Sequence, residues 1–188
     1  MAFYITTDSS ADYNRELLKS KNIGIVDLKF DLDGKSYSDN GESISYDDFY
    51  YRLDQGSTSK TSAVNTAEFT EFFESYLKKG QDVFYIGLSS ELSSTYHNAL
   101  RAKQELEEKY PDRKIYIVES KLASSSLGLI LEKVVSMKND GIPLDEIYKW
   151  VEANQTRFQT WVSATDLSFL AKGGRLSAPK AFVGKMLK

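Results

Sequence analysis

The sequence predicts an α/β fold in which a parallel sheet carries helices on both faces. Two observations carry this. Short runs of β-branched and aromatic residues alternate with segments of helical period through residues 1–158, and the inner runs are apolar almost throughout, as strands covered on both sides must be.

Phe3-Tyr4-Ile5-Thr6-Thr7 reads as the first strand, stopped by Asp8-Ser9-Ser10, and the spacing of Leu17 and Leu18 among charged residues predicts a helix of roughly three turns. From Ile23 to Leu32 apolar and polar residues alternate up to Asp33-Gly34, the dipeptide of a tight hairpin. Ser45 caps a short helix to about Leu53, since its hydroxyl can accept from first-turn amides beside Asp47 and Asp48. Residues 56–62 read as a polar loop. Thr66 then opens a helix with Phe69, Phe72, Phe73 and Tyr76 on one buried face. Val83–Leu88 and Lys114–Val118 are buried strands; helices carrying Tyr96, Ala99, Leu100 and Leu106, and Leu127, Ile130, Leu131, Val134 and Val135, follow them. Gly141 closes the second of these, and Pro143 starts another helix to about Asn154. At Thr160 the pattern changes. Trp161–Ala164 predicts a new strand, Asp166–Leu170 a short helix and Lys172-Gly173-Gly174-Arg175 a break, so residues 159–188 read as the start of a second α/β domain whose remainder is absent.

Hydrophobic residues at 41% and charged residues at 27% describe an ordinary globular chain. With no cysteine and one histidine, disulfides, thiolate nucleophiles and cysteine- or multi-histidine-based zinc sites are excluded, any metal would have to rest on carboxylates, and no metal or cofactor is expected. The net charge of -3 leaves no basic stripe for nucleic acid. The amino terminus lacks a secretory signal, and no run of about 18 apolar residues occurs, so the chain is expected to be cytoplasmic, without stable membrane insertion.

Candidate functional residues cluster in three hydroxyl-rich stretches: Thr7-Asp8-Ser9-Ser10, Lys60-Thr61-Ser62, and Ser89-Ser90 with Ser93-Ser94-Thr95. Each couples donor side chains to free backbone amides, and helix N-termini favour anions by about 0.3–1 kcal/mol per charge. Any one alone is an ordinary cap; together they suit a small, singly charged head group. Glycine-rich nucleotide-binding patterns are absent.

In order and spacing, Thr7–Asp12, Lys60–Ser62, Ser89–Ala99 and Leu170–Ser177 resemble the DegV family. The resemblance spans the chain and implies a Rossmann-like N-terminal domain that binds a long-chain fatty acid. It implies that Thr61 and Ser93 hydrogen-bond the carboxylate, with Ser62 and the amides around Ser94 completing the site and the acyl tail in an apolar tunnel. Asp8, Ser9 and Ser10 would form a supporting loop. Arg175 would stand at the head-group end, where its guanidinium suits phosphate. In the fatty acid kinase system, a separate kinase subunit phosphorylates the acid to acyl-phosphate for phospholipid synthesis, so the chain itself would be a bacterial lipid-binding protein rather than an enzyme. The family commonly has Gly where this chain has Ser94, and its members are longer, so the chain is expected to be C-terminally truncated. Two other readings compete, a serine-based acyl hydrolase using Ser93 or Ser90, and a non-lipid interaction module. The hydrolase lacks a base, because His97 would have to serve alone.

Overall fold

The computed structural model describes residues 3–163 and 167–176. Its main sheet is parallel, in the order β2 (Ile23–Val26), β1 (Phe3–Asp8), β6 (Asp82–Gly87), β7 (Ile115–Glu119). The remaining strands, β3 (Lys29–Leu32), β4 (Lys35–Ser38) and β5 (Ser59–Ser62), form a small antiparallel sheet in the order β4-β3-β5. The helices are α1 (Arg15–Ser20), α2 (Tyr46–Asp54), α3 (Thr66–Leu77), α4 (Thr95–Lys109), α5 (Ser124–Asn139), α6 (Leu144–Asn154) and α7 (Ser168–Lys172).

The alternation of side chains along each strand divides the core into two layers. Phe3, Ile5, Phe84, Ile86 and Val118 pack with Leu127, Ile130, Leu131 and Val134 of α5, Ile147 and Val151 of α6, and Leu18 of α1. On the other face Val83, Tyr85, Ile115 and Ile117 meet Phe69, Phe73 and Leu77 of α3 and Ala99, Ala102 and Leu106 of α4. All six residues of β6 are buried, which is why that strand lacks the polar alternation of a one-sided sheet.

Four expectations are corrected. The segment Ile23–Leu32 is two strands in two sheets, because Asp27-Leu28 turns the chain out of the parallel layer; the hairpin at Asp33-Gly34 forms as expected, with φ of 53° and 83°. The polar stretch read as a loop contains β5, which pairs with β3 although all four of its residues are exposed. Polar edge strands carry no apolar alternation to reveal them. The first helix is six residues, preceded by a 3-10 turn at Ser9–Ala11. Trp161–Ser163 has no regular structure, and Ala164, like Asp166, lies outside the described residues.

A carboxylate fastens α3 to α4. Glu74 accepts hydrogen bonds from Lys109 and from the Tyr110 hydroxyl at 2.9 Å, and pairs with Lys78 at 2.9 Å. The Lys109 and Lys78 ammonium groups and Tyr110 together lower its carboxyl to about 2. A carboxyl depressed in the folded state stabilises the fold above its unfolded value, near 4.5, and loses that contribution as pH falls towards about 2. Acid titration of stability followed by circular dichroism will show a loss across this window that is smaller in Glu74→Gln.

At the far end of β6, Gly87 has no room for a side chain: an added Cβ would lie 2.1 Å from the Tyr85 hydroxyl and 2.2 Å from Oδ2 of Asp8, both fully buried. Neither neighbour can withdraw without breaking its own hydrogen bonds. Gly87→Ala is expected to destabilise the protein by about 2–3 kcal/mol in urea titration, in the upper range for overpacking.

Candidate functional site

The order of the parallel sheet sets where a site can form. From β1 the chain first builds β2 on one side, and later β6 on the other. The carboxyl ends of β1 and β6 therefore diverge into different connections, leaving the crevice where α/β sheets bind ligands.

Asp8 sits in that crevice with no solvent exposure. Oδ1 accepts from the Ser10 amide at 3.0 Å and from the Ser10 hydroxyl, while Oδ2 accepts from the Tyr85 hydroxyl at 2.6 Å and the Leu88 amide at 2.9 Å. Burial first, and the adjacent Asp8 carboxylate second, hold the Tyr85 phenol well above its ordinary value, so it stays a donor. The Ser9 hydroxyl donates to Oδ2 of Asp39 at 2.8 Å and accepts from the Leu28 amide at 3.0 Å, fastening the small sheet to the large one. Asp8 and Ser9 are thus occupied by protein partners. Ser10 alone of the three lines a cavity.

That cavity, of about 270 Å³, lies under the small sheet. Phe30, Phe49, Tyr46 and Tyr50 give it aromatic walls, and Ser10, Thr61, Asp12 and Asp39 are polar positions in its lining. Burial raises the Asp39 carboxyl, with Asp12 and Asp27 adding to the rise. An anion in this cavity would face the Asp12 and Asp39 carboxylates as well as the Thr61 hydroxyl. Because strand side chains alternate, Thr61 shares a face of β5 with Ser59, and Ser62 points to the other face.

The loop after β6 delivers Ser89–Thr95 to the start of α4. Ser93 Oγ lies 2.8 Å from Thr95 Oγ1 and accepts from the Thr95 amide at 3.2 Å, an ST turn that caps the helix one residue early. Ser94 makes no cap bond and adopts φ −73°, ψ 0°, an ordinary right-handed conformation that needs no glycine. The Asn98 side-chain amide donates to the Val64 carbonyl at 2.8 Å, so the first turn of α4 is tied to the chain two residues beyond Ser62. Arg175, exposed after α7, donates from Nε to the Leu92 carbonyl at 3.1 Å and reaches this same loop from the far end of the sequence.

The neighbouring corner already holds a protein anion. Glu119, the last residue of β7, accepts from the Ser90 amide at 3.1 Å and the Lys121 amide at 2.9 Å. Ser89 and Ser90 then line a second, largely apolar cavity of about 510 Å³ with Leu92, Leu122, Ala123 and Val162. The Ser90 amide is already taken by a protein carboxylate. Asn98 and Glu119 carry this geometry, yet the sequence marks neither: Asn98 is one of many polar residues in a helix, and only the acidic end of β7 before Ser120 hints at Glu119.

The sequence model of the DegV family, described as "Uncharacterised protein, DegV family", matches residues 2–188. A DegV domain-containing protein of Clostridium perfringens is 39% identical over 98% of this chain and 64% of its own length, and one of Streptococcus pyogenes 34% identical over 99% and 65%. The chain therefore spans just under two thirds of the length of these relatives. Among solved structures, a DegV family protein from Thermus thermophilus described by its fatty acid binding superposes with TM-score 0.85 at 25% identity, over all of this chain and 65% of its own. A stearic acid-binding protein from Eubacterium ventriosum gives 0.81 at 26%, over 95% and 63%. A Thermotoga maritima protein described as revealing a fatty acid binding function gives 0.78 at 28%, over 94% and 64%. A family model that matches residues 2–188, and relatives 39% and 34% identical across nearly all of the chain, lead to one conclusion: the chain belongs to the DegV family.

Proposed function

We propose that the protein binds a long-chain fatty acid by its carboxylate, at the rim where the end of β5 meets the start of α4. The observation that carries this reading is the Asn98–Val64 hydrogen bond, which ties the Thr61-Ser62 strand end to the first turn of a 15-residue helix. That helix offers first-turn amides and the positive end of its dipole, the Ser93 and Thr61 hydroxyls supply donors, and Ser62 and Ser94 are exposed alongside. Arg175 adds a guanidinium on the same loop. Apolar walls in both adjoining cavities suit hydrocarbon. Family members of known structure described as fatty-acid-binding support the same ligand.

In this reading the protein holds the acid and a separate kinase subunit phosphorylates it to acyl-phosphate, with Arg175 beside the transferred group. The chain itself performs no chemistry. Against the hydrolase alternative, the Ser93 hydroxyl is paired with Thr95 rather than with a base, and His97 is exposed with its ring against Tyr96. Among the described residues no helix is long and apolar enough to cross a membrane.

Denaturing extraction of the purified protein and mass spectrometry of the organic phase will yield a C14–C18 fatty acid in near-stoichiometric amount. Thr61→Ala and Ser93→Ala will each weaken binding about 10–100-fold, the worth of a hydrogen bond to a charged group. Absence of lipid both here and in a version extended to the length of the relatives contradicts the proposal. A covalent adduct of a serine-directed probe on Ser93 or Ser90 would favour the hydrolase.

A further inference from the structure

The aromatic cavity under the small sheet combines rings and carboxylates in a way that fatty acid binding does not call for. None of the nine residues of α2 is buried, yet Tyr46, Phe49 and Tyr50 recur at helical spacing and so share one stripe. Together with Phe30 of β3 they line a cavity of about 270 Å³. The rings are held in place. Phe49 packs edge-on against Phe30 at 4.9 Å and against Tyr50 at 5.3 Å between centroids. The Tyr46 ring lies over Gly41, where an added Cβ would be 3.2 Å from it. Tyr46 and Tyr50 are each 62% exposed, so the four rings enclose a space that is open to solvent rather than a packed core.

Two carboxylates, Asp12 and Asp39, share that lining. Asp12 ends the 3-10 turn after β1 at φ 50°, is exposed, and among the described residues its side chain makes no hydrogen bond or ion pair. Asp39 accepts from the Ser9 hydroxyl, and among the described residues no cation pairs with its carboxylate. The nearby cations are committed elsewhere. The Arg15 guanidinium pairs with Asp27 and donates to the Asp39 backbone carbonyl at 3.0 Å, and the Lys29 ammonium pairs with Glu68. Burial first, and then the like charges of Asp12 and Asp27, raise the Asp39 carboxyl against the opposing pull of the Ser9 hydrogen bond and Arg15. The negative field at the cavity is therefore left uncompensated by the protein.

We propose that this cavity binds a small organic ammonium ion, its charged head enclosed by the rings of Phe30, Tyr46, Phe49 and Tyr50 and balanced by Asp12 and Asp39. Aromatic rings attract a cation through their quadrupole, and the carboxylates add attraction of the same sign. That pairing suits a weakly hydrated alkylammonium better than a hard metal ion, which requires six or more oxygen ligands. At about 30 Å³ for each water-sized group, a cavity of about 270 Å³ has room for a head group the size of choline or ethanolamine. The rings alone would also accept hydrocarbon; the two carboxylates are what select a cation. The inference rests on the cavity's own residues and does not depend on fatty acid binding.

The test titrates choline and ethanolamine separately into the intact chain, with 3,3-dimethylbutan-1-ol, the neutral carbon counterpart of choline, as the control. Binding is read from the ring resonances of Tyr46 and Tyr50. At least one of the two ammonium ions is expected to saturate below about 10 mM, and the alcohol to bind at least about tenfold more weakly than choline, since it lacks the charge. Tyr50→Leu and Asp12→Asn will each weaken binding about 3–10-fold. Both positions are exposed and Asn tolerates the left-handed backbone at residue 12, so both variants are expected to keep a native amide spectrum. Tighter binding of choline assigns the site to methylated ammonium ions, and tighter binding of ethanolamine to primary ones; either supports the proposal. Failure of both ions to saturate, equal binding of the alcohol, or undiminished binding in the two variants overturns it.

Discussion

The carboxylate of Asp8 stands at the point where the parallel sheet divides, and the rest of the site depends on how it is satisfied. A buried charge without partners would cost more than the fold can supply. Here each oxygen receives two donors: the amide and hydroxyl of Ser10 from the turn after β1, and the Tyr85 hydroxyl and Leu88 amide from β6 and the loop it feeds. One anion thus sets the spacing of two loops distant in sequence. It can do so only because Gly87 leaves the space through which Asp8 and Tyr85 approach.

From that anchor the hydroxyl-rich segments take different roles. Ser9 is used internally, bridging Asp39 and Leu28 and so joining the two sheets. Ser93 closes the turn that opens α4, and Asn98 fixes that helix to the end of β5. Carboxylates stand close by: Asp12 and Asp39 line one cavity, and Glu119 accepts from Ser90 beside the other. In the proposed binding mode the incoming anion meets the first turn of α4, which Arg175 approaches.

The main sheet was legible because burial on both faces writes itself into sequence: Val83-Phe84-Tyr85-Ile86 and Ile115-Tyr116-Ile117-Val118 leave few alternatives to a covered strand. The helices on its two faces followed from their apolar spacing. The small sheet was half legible. Asp33-Gly34 announced its hairpin, but β5 is exposed along its length and shows no periodicity, so Ser59–Ser62 read as loop. At the site, the hydroxyl clusters were visible as residues and their division of labour was not. Whether a serine faces a cavity or a neighbouring carboxylate is decided by contacts such as Ser9–Asp39, 30 residues apart in the chain. Tyr85 looked like one more aromatic in a buried strand until its hydroxyl was found on Asp8.

In the proposed binding mode a carboxylate docks on the first turn of α4 beside the end of β5. It is tested most directly by recording backbone amide resonances while titrating the protein with palmitic acid and, separately, with methyl palmitate. The account predicts that the acid shifts the amides of Thr61, Ser62 and Ser93–His97 together and saturably, and that the ester, which lacks the charge, leaves them largely unmoved. Equal shifts from acid and ester, or shifts confined to residues away from α4 and β5, would contradict it.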